Sequence, residues 1–128
     1  MLQKKLKVVM DKKFQTAKKS VGMKEIAKLL TKNKLSGVPI VNSANNVVGF
    51  VSERDIIAAV GKGLPYGAPV EKIMTKKVIA LDVNDTLDEA SQVFSRNPIR
   101  CIPVLQKSKI VGIISRKDAI DKLIGQYY

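Results

Sequence analysis

A serine followed three residues later by an aspartate occurs twice in the chain, at Ser52–Asp55 and at Ser115–Asp118. In each copy an apolar strand pattern precedes the serine and an apolar helical pattern follows it, which predicts that the serine begins a helix. Free backbone N–H groups at a helix start attract phosphate. A carboxylate one turn inside the helix offers two acceptor oxygens, which suit the vicinal hydroxyls of a ribose. The motif therefore predicts a nucleotide site.

The same motif also has a purely structural interpretation. Serine is a preferred N-cap, and the aspartate would replace the Glu or Gln of a capping box. One copy alone would favour this interpretation, whereas repetition at matching positions favours nucleotide binding in at least one copy. Arg54 and Lys117 precede the two aspartates and supply positive charge for phosphate. Gly49 and Gly112 are expected to let a flat base approach the strand backbone.

Both motifs belong to a longer internal repeat. Residues 37–56 match residues 101–119, with an offset of 64 before the turn and 63 after it. The second copy is therefore one residue shorter, and the missing residue falls in the turn, where a deletion is tolerated. A unit of roughly 60 residues is small for an independent core, so the two copies are expected to share one buried interface. We predict repeat 1 with a basic N-terminal segment at 1–62, a linker at 63–72 and repeat 2 at 73–128.

Hydrophobic periodicity predicts a strand, a helix, two further strands and a second helix in each copy. Apolar residues at helical spacing begin near Met23 and Leu87, and Asp85 is the predicted N-cap of the second of these helices. Residues 1–13 are expected to form either a short helix packed on the protein or a frayed tail. The other predicted elements are strands at 14–17, 38–41, 47–51 and 78–81, a helix at 53–60 and one helical turn at 70–74.

The composition excludes several kinds of chemistry. The chain of 128 residues contains no His and one Cys. Zinc sites and Ser-His or Cys-His catalysis are therefore excluded, and no metal site is expected. Cys101 is interpreted as a small strand residue in apolar surroundings that raise the thiol pKa. No apolar run approaches the roughly 18 residues of a membrane helix, and no signal peptide is recognised, so we expect a cytoplasmic protein with no membrane contact.

The net charge of +12 raises the alternative of a nucleic-acid-associated protein. Residues 1–36 carry +9 of this charge, with eleven Lys and two acidic residues. Lys24, Lys28 and Lys32 share one helix face, which the solvated side of an ordinary helix also explains. We expect weak, sequence-independent nucleic-acid binding at most, with the basic segment steering anionic nucleotides or an acidic partner.

The duplicated arrangement resembles a pair of cystathionine-β-synthase (CBS) domains, also called a Bateman module. The resemblance rests on Gly-Val-Pro-Ile-Val at 37–41 and Gly-Phe-Val-Ser-x-x-Asp at 49–55, together with their second copies, and covers about residues 8–124. It implies an α/β (α+β) fold of two tandem repeats, each a small sheet with two helices, packed about a pseudo-twofold axis. It also implies a non-catalytic sensor that binds AMP, ADP or ATP, in preference to S-adenosylmethionine, as a regulatory ligand in two clefts between the repeats.

The resemblance further implies which residues line the clefts, since each cleft joins the Ser-x-x-Asp of one copy to the entry strand and the pre-Pro residue of the other. Thr75 offers a hydroxyl where its counterpart Asp11 offers a negative charge, so the site of Asp55 is preferred. Met10 and Met74 also have a packing interpretation. One site would comprise Phe50, Ser52, Arg54, Asp55, Met74, Thr75, Lys77, Ile79 and Ile99, and the other Ile113, Ser115, Lys117, Asp118, Met10, Lys13, Gln15 and Leu35.

The last prediction concerns assembly. Apolar residues on the second helix of each repeat are not expected to be covered by so short a chain, which predicts a homodimer. These residues are Ile56, Ile57 and Val60 in the first copy and Ile120, Leu123 and Ile124 in the second. Tyr127 and Tyr128 are expected to be exposed or to lie in a dimer contact. A free-standing nucleotide sensor is the preferred interpretation. A basic nucleic-acid-associated protein and a structural dimerisation module with empty clefts remain the alternatives.

Overall fold

The chain folds into two compact units that cut across the sequence repeat. The structure, a computed structural model, describes residues 2–125. Unit 1 comprises the residues up to Phe14 together with those from Ile79 onward, and unit 2 comprises Gln15–Val78. Each unit therefore combines most of one predicted repeat with the first residues of the other. The predicted linker at 63–72 lies within unit 2, and the repeat boundaries stay a prediction. Tyr127 and Tyr128 lie outside the described residues.

The helices and strands follow the predicted order. A 3₁₀-helix at Val70–Lys72 lies where one helical turn is predicted. Across residues 2–125, no helix has the length and apolar character needed to cross a membrane. The elements are α1 (Leu6–Val9), α2 (Met23–Asn33), β1 (Gly37–Val41), β2 (Val47–Ser52), α3 (Glu53–Gly61), β3 (Leu81–Asp82), α4 (Leu87–Arg96), β4 (Cys101–Gln106), β5 (Lys109–Ser115) and α5 (Arg116–Gly125).

Unit 2 is built on the hairpin of β1 and β2. The strands are antiparallel, with Gly37 opposite Ser52 and Pro39 opposite Phe50. The predicted apolar stripe of α2 is buried against this hairpin, and each such fully buried side chain stabilises the fold by about 1.5–3 kcal/mol. The hairpin therefore delivers Ser52 to the start of α3. The core residues are Met23, Ile26, Leu30, Val38, Ile40, Val51, Ile56, Ala59 and Val70.

Unit 1 repeats this arrangement with one more strand. β4 and β5 form an antiparallel hairpin in which Cys101 lies opposite Ser115, and β3 pairs with β4 in parallel. Leu6 and Val9 of α1 are buried in the same core, so the structure shows the short helix rather than a frayed tail. The hairpin delivers Ser115 to the start of α5. The core residues are Leu6, Val9, Val83, Leu87, Ala90, Phe94, Ile102, Val104, Ile114 and Ala119.

The first strand of each repeat is shorter than predicted. In the segment 14–17 only Ala17 is paired, through a parallel bridge to Ile40. In the segment 78–81 pairing begins only at the last residue, since β3 is Leu81–Asp82. The strand predictions are therefore wrong for residues 14–16 and 78–80. An apolar, β-branched run becomes a strand only where a partner backbone lies beside it.

The N-cap of α4 is Thr86 and not the predicted Asp85. The Thr86 hydroxyl accepts the Glu89 N–H at 3.2 Å. The Asp85 carboxylate instead accepts the N–H of Asp82 at 2.7 Å, which closes the turn before the helix. The prediction was wrong because Asp and Thr are both good caps and only the backbone path decides which side chain reaches the helix start.

Backbone carbonyls from distant segments satisfy further N–H groups at two helix starts. At α4, the N–H groups of Leu87 and Asp88 donate to the carbonyl oxygens of Lys4 and Leu2, both at 2.9 Å. At α2, the first two N–H groups donate in the same way to carbonyls of residues 66–68, again at 2.9 Å. The first turns of α2 and α4 are thus used structurally, which leaves α3 and α5 as the helix starts to consider for a ligand.

Candidate functional site

The first Ser-x-x-Asp forms a complete capping box at the start of α3. The Ser52 hydroxyl accepts the Asp55 N–H at 3.1 Å, and Asp55 Oδ2 accepts the Ser52 N–H at 2.9 Å. The N–H of Glu53 donates to the carbonyl of Ser36 at 2.9 Å. The structural interpretation of the motif is therefore correct, and fewer N–H groups are free for phosphate than expected. The box engages one oxygen of a half-buried carboxylate that has two, so capping and ligand binding are compatible.

The second Ser-x-x-Asp shows the serine half of this arrangement at the start of α5. The Ser115 hydroxyl accepts the Asp118 N–H at 2.9 Å. The N–H of Arg116 donates to the carbonyl of Arg100 at 2.8 Å, as Glu53 does to Ser36 in unit 2. The two helix starts therefore share the serine cap and the anchored first N–H group, and the bond that completes the capping box is shown at α3.

Thr75 lies directly beside the strand that leads to Ser52. Its backbone makes two hydrogen bonds with Phe50, from the Phe50 N–H to the Thr75 carbonyl at 2.9 Å and from the Thr75 N–H to the Phe50 carbonyl at 2.8 Å. Thr75 is exposed and Phe50 is half-buried. Phe50 is two positions before Ser52 in β2. The pairing therefore places Thr75, which carries a hydroxyl, beside the aromatic residue that leads into the capping box.

Asp11 takes the corresponding place in unit 1. It makes the same pair of backbone hydrogen bonds with Ile113, at 2.8 and 3.0 Å. Its carboxylate accepts the N–H of Lys13 at 2.8 Å and remains exposed. The structure therefore places a negative charge near Ser115 where unit 2 has the neutral Thr75, and a negative charge repels phosphate.

The glycines expected to admit a base are covered by methionine side chains. A Cβ added to Gly49 would meet Met74 Sδ first and would lie 2.9 Å from Met74 Cγ. A Cβ added to Gly112 would meet Met10 Sδ and would lie 2.8 Å from Met10 Cγ. The expectation of open strand backbone at these positions is therefore wrong, and the packing interpretation of both methionines is correct. In each case a thioether packs against the glycine backbone in the space that a side chain would occupy.

The remaining predicted site residues divide between the units. Leu35 and Ile99 pack against the apolar core of their own unit, Leu35 in unit 2 and Ile99 in unit 1. Their roles, and those of Gln15 and Ile79, stay predictions, because each was assigned to the site of the other unit. Unit 2 holds Phe50, Ser52, Arg54, Asp55, Met74, Thr75 and Lys77, and unit 1 holds Ile113, Ser115, Lys117, Asp118, Met10 and Lys13.

Three contributions to these helix starts were missed by sequence reasoning. The carbonyls of Ser36 and Arg100 anchor the first N–H of α3 and α5, and backbone carbonyls carry no sequence signal. Gly37 was noted only as part of the Gly-Val-Pro-Ile-Val motif, yet it lies opposite Ser52 and against the Phe50 ring. The strand register across the turn was the signal that could have placed Gly37 there.

Cys101 lies on β4 opposite Ser115. Burial of the thiol, and secondly the negative charge of Asp118, raise the Cys101 pKa from 9.0 to about 12. The thiol therefore stays neutral at physiological pH, as its apolar surroundings predicted. Because the folded pKa lies above the unfolded one, this group stabilises the fold below the unfolded pKa and loses that contribution as the pH rises toward 12.

Alkylation of Cys101 by iodoacetamide is expected to be on the order of a hundredfold slower or more in the native protein at pH 8 than in the chain unfolded in guanidinium chloride, because the thiolate is the reacting form. Mass spectrometry of the alkylated fraction over time measures both rates. The native rate should keep rising with pH beyond pH 10, whereas the rate for the unfolded chain should level off once the pH exceeds the ordinary pKa of 9.0. Equal rates at pH 8 would contradict the raised pKa.

Comparison with protein families identifies the repeat. The family model described as CBS domain matches residues 6–62 and residues 70–125. The two matches cover the two repeats and nearly all of the chain. They confirm the predicted family resemblance and the predicted mixed α and β fold of two tandem repeats.

Known relatives match the chain over most of its length. The uncharacterized protein MJ1225 of Methanocaldococcus jannaschii is 32% identical over 91% of this chain and 41% of its own length. Inosine-5′-monophosphate dehydrogenase of Aquifex aeolicus is 34% identical over 84% of this chain and 22% of its own length. The chain thus spans less than half of either relative. The crystal structure of the CBS domain pair of protein MJ0100, in complex with 5′-methylthioadenosine and S-adenosyl-L-methionine, is 28% identical with a TM-score of 0.85, and the match covers 98% of both chains.

Proposed function

The chain belongs to the CBS domain family, and from this premise we propose that it is a non-catalytic regulatory module that binds an adenosine nucleotide, AMP, ADP or ATP. The observation that carries the proposal is the pairing of Thr75 with Phe50 beside the Ser52–Asp55 capping box. This pairing assembles, within one unit, groups suited to the parts of a nucleotide. A hydroxyl, an aromatic ring and a carboxylate suit phosphate, base and ribose respectively.

In the proposed site, Asp55 accepts hydrogen bonds from the ribose hydroxyls through the oxygen that the capping box does not engage. Thr75 donates its hydroxyl to phosphate, and the exposed cations of Arg54 and Lys77 neutralise phosphate charge. Cations beside the site favour a phosphate-bearing ligand over the positively charged S-adenosylmethionine. The equivalent position in unit 1 binds phosphate less well because Asp11 replaces Thr75.

The relatives support an adenosine ligand without specifying which one. Both molecules named for the MJ0100 domain pair contain adenosine. S-adenosylmethionine therefore belongs in any ligand screen of this chain. Because the chain covers only a fraction of the dehydrogenase, 22% of its length, the activity of that enzyme is not transferred to this chain.

A thermal-shift screen with AMP, ADP, ATP, NADH and S-adenosylmethionine tests the proposal. A ligand at 100 times its dissociation constant should stabilise the protein by about 2.7 kcal/mol, which raises the unfolding temperature by several degrees. An unchanged transition with every ligand would overturn the proposal and favour a structural dimerisation module. Greater stabilisation by a duplex oligonucleotide at physiological salt would favour the nucleic-acid alternative, because non-specific binding should be weak under that condition.

We further propose that the module is a homodimer. Ile57 on α3 is 72% exposed, and Ile120 and Ile124 on α5 are 50% and 47% exposed. Ile56, predicted on the same exposed face, is instead buried in the core of unit 2. Sedimentation velocity should give a dimer for the natural chain and a monomer for Ile57→Glu combined with Ile120→Glu, because a charge in an apolar contact is costly. A monomer at all concentrations of the natural chain would contradict this proposal.

A further inference from the structure

The ring of Phe50 lies against the backbone of Gly37. A Cβ added to Gly37 would lie 2.5 Å from Phe50 Cε1, 2.9 Å from Phe50 Cζ and 2.9 Å from the Val51 carbonyl oxygen. These separations are too short for any real Cβ, and the carbonyl belongs to the backbone of a buried strand residue. The absence of a side chain at residue 37 is therefore what permits the ring to occupy this place.

The strand register gives the direction of the ring. Phe50 is opposite Pro39, whereas Gly37 is opposite Ser52. A ring that starts at Phe50 and contacts Gly37 therefore extends diagonally across the hairpin, toward the end at which Ser52 begins the capping box. Phe50 as a whole residue is half-buried, so it keeps some surface in contact with solvent.

Unit 1 has a different pair at the matching positions. Cys101 replaces Gly37 opposite Ser115, and Ile113 replaces Phe50 opposite Pro103. In both pairs the smaller residue lies on the first strand of the hairpin, but in unit 1 it carries a side chain and the larger residue has no aromatic ring. A β-branched side chain of this size has no flat face on which a base can stack.

We propose that Gly37 is a positioning residue that holds the Phe50 ring as a stacking surface, so that the Asp55 site selects ligands with a planar aromatic base and the Asp118 site does not. This inference rests on the proposed nucleotide binding and adds to it a basis for selectivity between the two sites. Stacking of a base on an aromatic side chain contributes about 1–3 kcal/mol, or about 5- to 150-fold in affinity. A methyl group at residue 37 would displace the ring and remove this contribution.

Two probes separate stacking from the rest of the site, namely AMP and ribose 5-phosphate, which lacks the base. In an NMR titration, Gly37→Ala should lower the affinity for AMP by about 5- to 150-fold and leave the affinity for ribose 5-phosphate unchanged. Phe50→Ile, which copies the residue of unit 1, should give the same pattern without adding a Cβ at residue 37. Gly61→Ala is the matched control, because a Cβ there meets nothing within 4 Å.

The contact itself has a readout that needs no ligand. The Gly37 Hα resonances should be shifted by the ring current of Phe50 in the natural chain and should lose that shift in Phe50→Ile.

The reverse exchange tests the same idea in unit 1, where Cys101→Gly combined with Ile113→Phe should install base-dependent binding. If the natural chain binds neither probe, the proposed nucleotide binding fails and this inference fails with it. If the natural chain binds AMP, but Gly37→Ala and Phe50→Ile lower the affinities for AMP and for ribose 5-phosphate by the same factor, only the stacking inference is overturned.

Discussion

Replacing Asp55 by alanine is expected to weaken the binding of an adenosine nucleotide by about 5- to 150-fold, which corresponds to about 1–3 kcal/mol for a lost acceptor at a partly buried site. Asp118→Ala should have a smaller effect, because Asp11 already disfavours phosphate beside the second helix start. Isothermal titration calorimetry of the natural chain and the two variants measures the difference. Natural affinity in both variants would contradict the site assignment.

The Asp55 variant needs controls, because Asp55 also caps α3. Loss of a capping side chain costs about 1 kcal/mol of folding stability, which thermal unfolding will show. Thr86→Ala removes a comparable cap from α4, where no ligand is proposed, and should lower stability without changing affinity. Asp55→Asn keeps one acceptor oxygen for the Ser52 N–H but loses the other, so it should bind weakly while folding almost normally.

Gly112→Ala is expected to lower the free energy of unfolding by about 1–3 kcal/mol, the usual cost of forcing extra volume into a packed site. The new Cβ would lie 2.8 Å from Met10 Cγ and 3.1 Å from the Asp11 carbonyl oxygen, and the carbonyl cannot move without breaking the pairing with Ile113. Gly49→Ala should cost less, because the atoms closest to its Cβ all belong to the flexible side chain of Met74. Urea unfolding followed by circular dichroism measures both values.

A double-mutant cycle identifies the methionine as the cause. Gly112→Ala combined with Met10→Ala should lose less stability than the sum of the two single variants, because the new methyl group enters space that the thioether has left. Gly61→Ala, which meets no atom within 4 Å, should be neutral or slightly stabilising. Additive losses in the cycle would show that the Met10 side chain is not what Gly112 accommodates.

The site was predictable from the sequence where it depends on neighbours along the chain. The capping box joins Ser52 to a residue only three positions away, and that spacing is visible in the sequence. Thr75 and Phe50 were assigned to one site only because the repeat resembles a known family, and their backbone pairing was not predicted, since no local pattern links residues so far apart. Gly49 was predicted to admit a base, but the Met74 side chain lies there instead. The space left by a glycine can hold either a ligand or a protein side chain, and the sequence neighbours of Gly49 do not distinguish the two.

Local patterns established the two hairpins and four main helices of this chain, because alternation and helical spacing reflect which face of each element is buried. The same reasoning failed for Asp85 and for the strands at 14–17 and 78–81, where caps and pairing depend on the path of the backbone. Folding alone determined that residues 2–14 pack with the second repeat, that Met10 and Met74 cover two strand glycines, and that a ring lies against Gly37. These contacts join residues distant in the chain, and their geometry exists only once the strands and helices have packed.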